Sequence, residues 1–215
     1  MIIWFATGNI HKKEELACIL LHGFQEALAG SKNAPFELKI PGEAGLDFDP
    51  IESGTSFLEN ALIKARELHS LLDKNHLLKN GDCQLLAEDS GICVDALDGR
   101  PGIHSARFGG KKLDAAGKNA LLLNELGDNP LRKARFVCAM VLYCGPDRFF
   151  AAQECMEGEI VNDAGSIRGK NGFGYDPILY LPELGRTVAE LSAEEKNRLS
   201  HRAKAGRAIA KMINF

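Results

Sequence analysis

Residues 134–143 read Ala-Arg-Phe-Val-Cys-Ala-Met-Val-Leu-Tyr, followed by the turn-forming Cys144-Gly145-Pro146-Asp147 and a return over residues 149–156. An apolar run of that length, bounded by turn signals, predicts a buried strand, and the turn and return predict an antiparallel hairpin. The N-terminus makes a different demand. Residues 2–6 are apolar, Thr7-Gly8-Asn9 interrupts them, and from Lys12 the apolar positions Leu16, Ile19 and Leu20 take helical spacing, with Gly23 as a stop. A strand–turn–helix start and a later hairpin do not fit a purely parallel sheet. The expected class is α/β with a mixed central sheet flanked by helices.

Other elements follow from local chemistry. Residues 28–55 carry Gly30, Pro35, Pro41, Gly42, Gly45 and Pro50 and read as irregular, with a strand over 36–40. Ser56 with Glu59 forms a capping box that opens a helix carrying Leu58, Ala61, Ile63, Ala65, Leu68 and Leu72. Residues 84–87 predict a short strand ending at Glu88-Asp89-Ser90-Gly91, with a second extended piece over 92–96. Asp98-Gly99 and Pro101-Gly102 are turns, and Asp114 caps a helix that runs to Leu126. The last helix covers about residues 200–213.

At 215 residues the chain is expected to form a single domain, 1–215. No apolar run approaches the ~18 residues needed to cross a bilayer, and the first residues read as a strand rather than a signal peptide. The six cysteines form no Cys-x-x-Cys pair, which suits reduced thiols in a cytoplasmic protein and argues against zinc. A net charge of −3 argues against nucleic acid as a partner.

Five stretches carry chemistry. Thr7, Gly8, Asn9, Ile10, His11 and Lys12 join a strand to a helix. Helix-start N–H groups, a glycine and a lysine suit an anion such as phosphate, although an ordinary βα turn would read the same. Glu88 and Asp89 end a strand and are followed by Ser90. Carboxylates there suit Mg²⁺, which takes one or two of them with waters and phosphate oxygens; a solvated acidic turn is the alternative. Asn60 and Lys64 share a helix face, either as plain surface or facing a cleft that offers Lys64 to a phosphate and Glu52 to a metal. Phe173, Gly174, Tyr175 and Asp176 lie in a glycine-flanked loop that can seat a base or sugar against an aromatic ring, or simply bury its aromatics. Lys196 and His201 would sit about 140° apart on one continuous helix. Ser200 is a good N-cap, so a break is expected there, with His201 and Arg202 opening the final helix. Lys204, Arg207 and Lys211 read as a solvated face.

Taken in order, Thr7-Gly8-Asn9 with Lys12, Glu88-Asp89-Ser90-Gly91 with Val94-Asp95-Ala96-Leu97, Pro101-Gly102 with Ser105-Ala106-Arg107-Phe108, Phe173-Gly174-Tyr175-Asp176-Pro177, Ala189-Glu190-Leu191, Lys196 and Ser200-His201-Arg202 resemble the inosine triphosphate pyrophosphatase family, the non-canonical purine NTP pyrophosphatases. The resemblance runs from Ile3 to the last helix. It implies an elongated α/β fold with two lobes around a nucleotide-binding cleft. It also implies a homodimer, and Mg²⁺-dependent hydrolysis of ITP, dITP and XTP to monophosphate and pyrophosphate. By the same resemblance, residues 7–12 bind the triphosphate and Asp89 is the catalytic and metal-binding acid. Ser90 contacts substrate, and Phe173, Gly174, Tyr175, Asp176, Lys196, His201 and Arg202 bind the nucleotide. Glu52 and Glu88 are the further candidate metal carboxylates. Position 88 is Asp in many relatives, and residues 41–51 match the family poorly. Two other readings are a Maf-like pyrophosphatase acting on pyrimidine or modified nucleotides and a nucleotide-binding regulator without turnover.

Overall fold

The computed structural model describes residues 1–27, 36–78, 84–110 and 112–213. Its strands are β1 (Ile2–Phe5), β2 (Glu37–Lys39), β3 (Gln84–Val94), β4 (Lys133–Tyr143), β5 (Phe149–Ile160), β6 (Leu179–Leu181) and β7 (Arg186–Thr187). They form one sheet in the order β2-β1-β3-β4-β5-β6-β7. β1 pairs in parallel with β2 and β3, whereas β6 is antiparallel to β5 and β7, so the sheet is mixed. β4 and β5 are neighbours joined by residues 144–148, where the Cys144 N–H donates to the Arg148 carbonyl at 2.9 Å. The helices are α1 (Ile10–Ala27), α2 (Phe57–Lys74), α3 (Ala115–Leu126), α4 (Ala193–Leu199) and α5 (His201–Ala210).

The chain divides into two compact units. The first comprises Met1–Asp89, Cys138–Glu154 and Arg202–Phe215; the second comprises Ser90–Val137 and Cys155–His201. In the first unit, strand alternation sorts the core onto two faces. Ile3 and Phe5 of β1, Leu86 of β3, and Cys138, Met140 and Leu142 of β4 pack with Leu16 and Leu20 of α1 and Ala205 and Ile209 of α5. The intervening residues Trp4, Ala6, Leu85, Ala87, Val141 and Tyr143 pack with Ala61, Ala65, Leu68 and Leu72 of α2. The second unit has its own core, in which Ile92, Val94, Leu122, Phe136, Ile178 and Leu191 are buried together.

Two sequence expectations are corrected. Gly23 does not stop α1, which continues to Ala27. A Cβ at Gly23 would lie 3.0 Å from that of Ala210, so the glycine serves close packing of α1 against α5. The short strand over 84–87 and residues 92–94 of the extended piece are parts of one strand, β3, and Glu88-Asp89-Ser90-Gly91 lies inside it rather than in a loop, while Asp95 and Ala96 belong to a 3-10 turn. Backbone pairing and burial on both faces override the polar composition of that stretch.

Other expectations are met. Ser56 Oγ accepts from the Glu59 N–H, although the Glu59 carboxylate turns to the Thr55 N–H (2.6 Å) and hydroxyl (2.7 Å). Asp114 Oδ1 caps α3 through the Gly117 N–H at 2.8 Å. Ser200 separates α4 from α5 in an extended conformation, with ψ of 157°. Of the cysteines, Cys83 lies outside the described residues, as do residues 28–35 of the irregular stretch.

Candidate active site

The alternation that sorts the core also sorts the two acidic residues of β3. Glu88 shares parity with Leu86 and faces α1 and α5, whereas Asp89 shares parity with Ala87 and faces α2. They are neighbours in sequence and belong to different networks.

On the α2 face, Asp89 is 6% exposed. Its Oδ1 accepts from Lys64 Nζ at 2.7 Å and its Oδ2 from Asn60 Nδ2 at 3.2 Å. The same Lys64 ammonium lies 2.7 Å from Glu52 Oε1. Burial, outweighing the pull of Lys64, raises the Asp89 carboxyl above the usual carboxylate range. Burial works against the charge on Lys64, but Asp89 and Glu52 overcome it and the lysine stays protonated more firmly than usual. Asn60 and Lys64 are therefore buried, not surface. Both sit on the stripe of α2 that also carries Phe57, Ala61, Ala65, Leu68 and Leu72. A polar pair interrupting an apolar stripe was the available sequence signal.

Two carboxylates, Asp89 and Glu52, thus converge on one cationic centre. Among the described residues no group of three or more His, Cys, Asp or Glu side chains gathers as a metal cage. Mg²⁺ does not ask for one: one or two carboxylates suffice when phosphate oxygens and waters complete its shell. The donor set present fits that cation.

On the opposite face, Arg202 of α5 is 2% exposed and grips Glu88 with Nε at 2.8 Å and Nη2 at 2.9 Å. Its Nη1 donates to Glu15 of α1 at 2.6 Å. Glu88 Oε1 also meets Lys12 Nζ at 3.1 Å, and the Cys138 thiol lies 3.6 Å from Glu88 Oε2. Burial alone would push the Glu88 carboxyl up, but Arg202 and Lys12 hold it well below the usual range. Glu88, the other candidate metal carboxylate, faces Arg202 and Lys12 with both its oxygens, whereas Asp89 and Glu52 meet at Lys64. Lys12 is thereby fixed at the start of α1. There Asn9 Oδ1 caps the helix through the His11 and Lys12 N–H groups at 2.9 and 3.3 Å, and the Asn9 N–H donates to Thr7 Oγ1 at 3.0 Å. The position of a Cβ on Gly8 is open, with no atom within 4 Å among the described residues. Ile10 is exposed at the first position of the helix.

The second unit gathers the remaining candidates. Phe173 lies between Gly172 and Gly174, whose φ angles are +75° and +64°. Asp176, 3% exposed, accepts from the Phe173 N–H at 2.7 Å and from Lys196 Nζ at 2.8 Å. The Lys196 ammonium sits 4.6 Å from the centroid of the Phe173 ring, within cation–π range. Tyr175 is buried, donates to the Ser105 carbonyl at 2.9 Å, and has its phenol pushed up to about 12 by burial. It anchors the loop from below. Asn119 of α3, unmarked by the sequence reading, donates to the Gly174 carbonyl at 3.1 Å. His201 is 5% exposed and stacks on Phe136, with centroids 4.9 Å apart and planes 16° apart. Ser90 is half-buried at the start of the unit.

The chain matches the model of the Ham1 family over residues 3–212. It is 41% identical to the dITP/XTP pyrophosphatase of Treponema denticola over 99% of this chain and 98% of that protein. It is 45% identical to the dITP/XTP pyrophosphatase of Geobacillus kaustophilus over 74% of this chain and 76% of that one. Among solved structures, the HAM1 protein from Coxiella burnetii superposes with a TM-score of 0.77 at 34% identity, covering 99% of this chain and 98% of that one.

Proposed function

The chain belongs to the Ham1 family, and from that premise we propose that it hydrolyses non-canonical purine nucleoside triphosphates, ITP, dITP and XTP, to the monophosphate and pyrophosphate. The observation that carries the reading is the trio in which buried Asp89 and half-buried Glu52 both lie 2.7 Å from Lys64 Nζ. A carboxylate pair with a lysine suits phosphoryl chemistry: anionic ligands, a proton acceptor and a charge to meet phosphate.

In this proposal Asp89 and Glu52 hold Mg²⁺. When bound, the cation neutralises charge that develops on the phosphate oxygens. Asp89 takes the proton from the water that attacks the α-phosphorus, and pyrophosphate leaves. Lys12, held by Glu88, and the turn at Thr7, Gly8 and Asn9 bind the outgoing phosphates, and Lys64 supplies positive charge beside Asp89. Ser90 is assigned a contact to substrate. Phe173, Gly174, Tyr175, Asp176 and Lys196 are assigned to the nucleoside, with the Asp176–Lys196 pair keeping the loop in shape. Hypoxanthine and xanthine carry an acceptor oxygen at position 6, where adenine carries an amino donor. Donors from His201 and Arg202 would accept the first two bases and reject the third. Here Glu88 and Glu15 hold the guanidinium in place. The same reading makes the enzyme a cytoplasmic homodimer, as the family resemblance implies. No helix of the described residues is long and apolar enough to cross a membrane.

The test is pyrophosphate release from ITP, XTP, ATP, GTP and UTP, with and without Mg²⁺. The expected result is fast, Mg²⁺-dependent release from ITP and XTP with a monophosphate co-product. Release mainly from UTP would assign the chain to pyrimidine chemistry. Tight ITP binding without release would make it a regulator.

A further inference from the structure

Asn60 has no exposed surface. Its carboxamide has two partners within the first unit. Oδ1 accepts from the backbone N–H of Gly54 at 2.8 Å, and Nδ2 donates to Asp89 Oδ2 at 3.2 Å. The orientation of the amide is dictated by chemistry. A backbone N–H can only donate, so the oxygen faces Gly54 and the nitrogen is left to face Asp89. The contact with the loop is tight: a Cβ on Gly54 would fall 2.7 Å from Asn60 Oδ1 and 2.7 Å from Glu59 Cβ. Gly54 lies two residues beyond Glu52. One buried carboxamide therefore ties the segment that carries Glu52 to the carboxylate of Asp89, while Lys64, one turn further along α2, bridges the same two side chains.

A buried amide is costly unless both its ends are satisfied, and an apolar residue would fill the same volume without that cost. The use of Asn here calls for a function that packing does not supply. We propose that Asn60 is a positioning residue that sets the orientation of Asp89 and its separation from Glu52 for a divalent cation. This rests on the assignment of Asp89 and Glu52 as the cation's ligands. A cation held by two protein carboxylates depends on their preorganisation, and loss of an outer partner typically costs about 10–100-fold in metal affinity or activity.

The test uses Mn²⁺ as the probe, titrated into the full-length protein and followed by electron paramagnetic resonance of the free ion. Two variants reach the carboxamide from different sides. Asn60→Leu removes it, and Gly54→Ala presses on its oxygen without touching Asp89. Both are expected to weaken Mn²⁺ binding about 10–100-fold and to raise the Mg²⁺ concentration for half-maximal turnover, while KM for ITP at saturating Mg²⁺ stays near wild type. A residue that only packs the core would shift the melting temperature and leave the metal requirement alone. Should Asn60→Leu fail to fold, Gly54→Ala decides. Wild-type Mn²⁺ affinity in both variants, with Asp89→Asn impaired, overturns the role of Asn60 alone. Wild-type affinity in Asp89→Asn overturns the ligand assignment beneath it.

Discussion

Asp89→Asn is expected to lower kcat for ITP by about 10³-fold, within the range that removal of a general base commands, with the melting temperature little changed. The substitution keeps the shape of the side chain, but its single oxygen serves either Asn60 Nδ2 or Lys64 Nζ and its amide nitrogen faces the other donor. It removes the proton acceptor and one anionic ligand together, so kcat and kcat/KM should fall in parallel. Stability should hold for a separate reason. Burial already penalises the charge on Asp89, as its raised pKa records, and a neutral amide escapes that penalty. Lys64 keeps Glu52 at 2.7 Å as a counter-ion. Steady-state kinetics and a thermal melt on the same preparation check both halves. Near-wild-type turnover would remove Asp89 from the chemistry.

Arg202→Ala is expected to behave in the opposite way, as a fold defect first. The guanidinium is 2% exposed and bidentate to Glu88, which is itself 2% exposed. Deleting one partner of a buried pair costs about 3–5 kcal/mol, and Lys12, 3.1 Å from Glu88, is left as the carboxylate's cation. In a chain of this size that lowers the melting temperature by roughly 10 °C. From residue type alone, loss of Arg202 is expected to erode the preference for ITP over ATP more than it harms folding; the buried pair with Glu88 predicts a large fold defect as well. The double variant Glu88→Gln with Arg202→Met should recover much of the loss, because matched neutral side chains can replace a buried ion pair at little cost. Selectivity for ITP over ATP should then be measured in that double variant, where folding and base choice are separated. If Arg202→Ala melts within a degree or two of wild type, the Glu88–Arg202 pair does not hold the two together.

The order of elements was legible in the sequence where local chemistry is decisive. Apolar runs bounded by turn residues located β1, β4 and β5, the caps at Ser56 and Asp114 located α2 and α3, and the mixed sheet followed from a βα start with a later hairpin. The break at Ser200 was legible too, because one continuous helix could not bring Lys196 and His201 to the same side. Asp89, Lys64 and Glu52 could be named as candidates because their residue types announce phosphate and cation chemistry.

What the tertiary structure decided was which of these groups meet. In sequence, Glu88 and Asp89 form an acidic pair. Once β3 runs unbroken from Gln84 to Val94, alternation sends them to opposite faces. One becomes the partner of Arg202 and Lys12, the other of Lys64 and Asn60. The partners come from α1, α2 and α5, and Glu88 and Arg202 lie 114 positions apart in the chain. No local rule brings such distant residues together. Composition and periodicity record what each segment prefers, but a buried charge is settled only when packing removes water and leaves one particular counter-ion within reach.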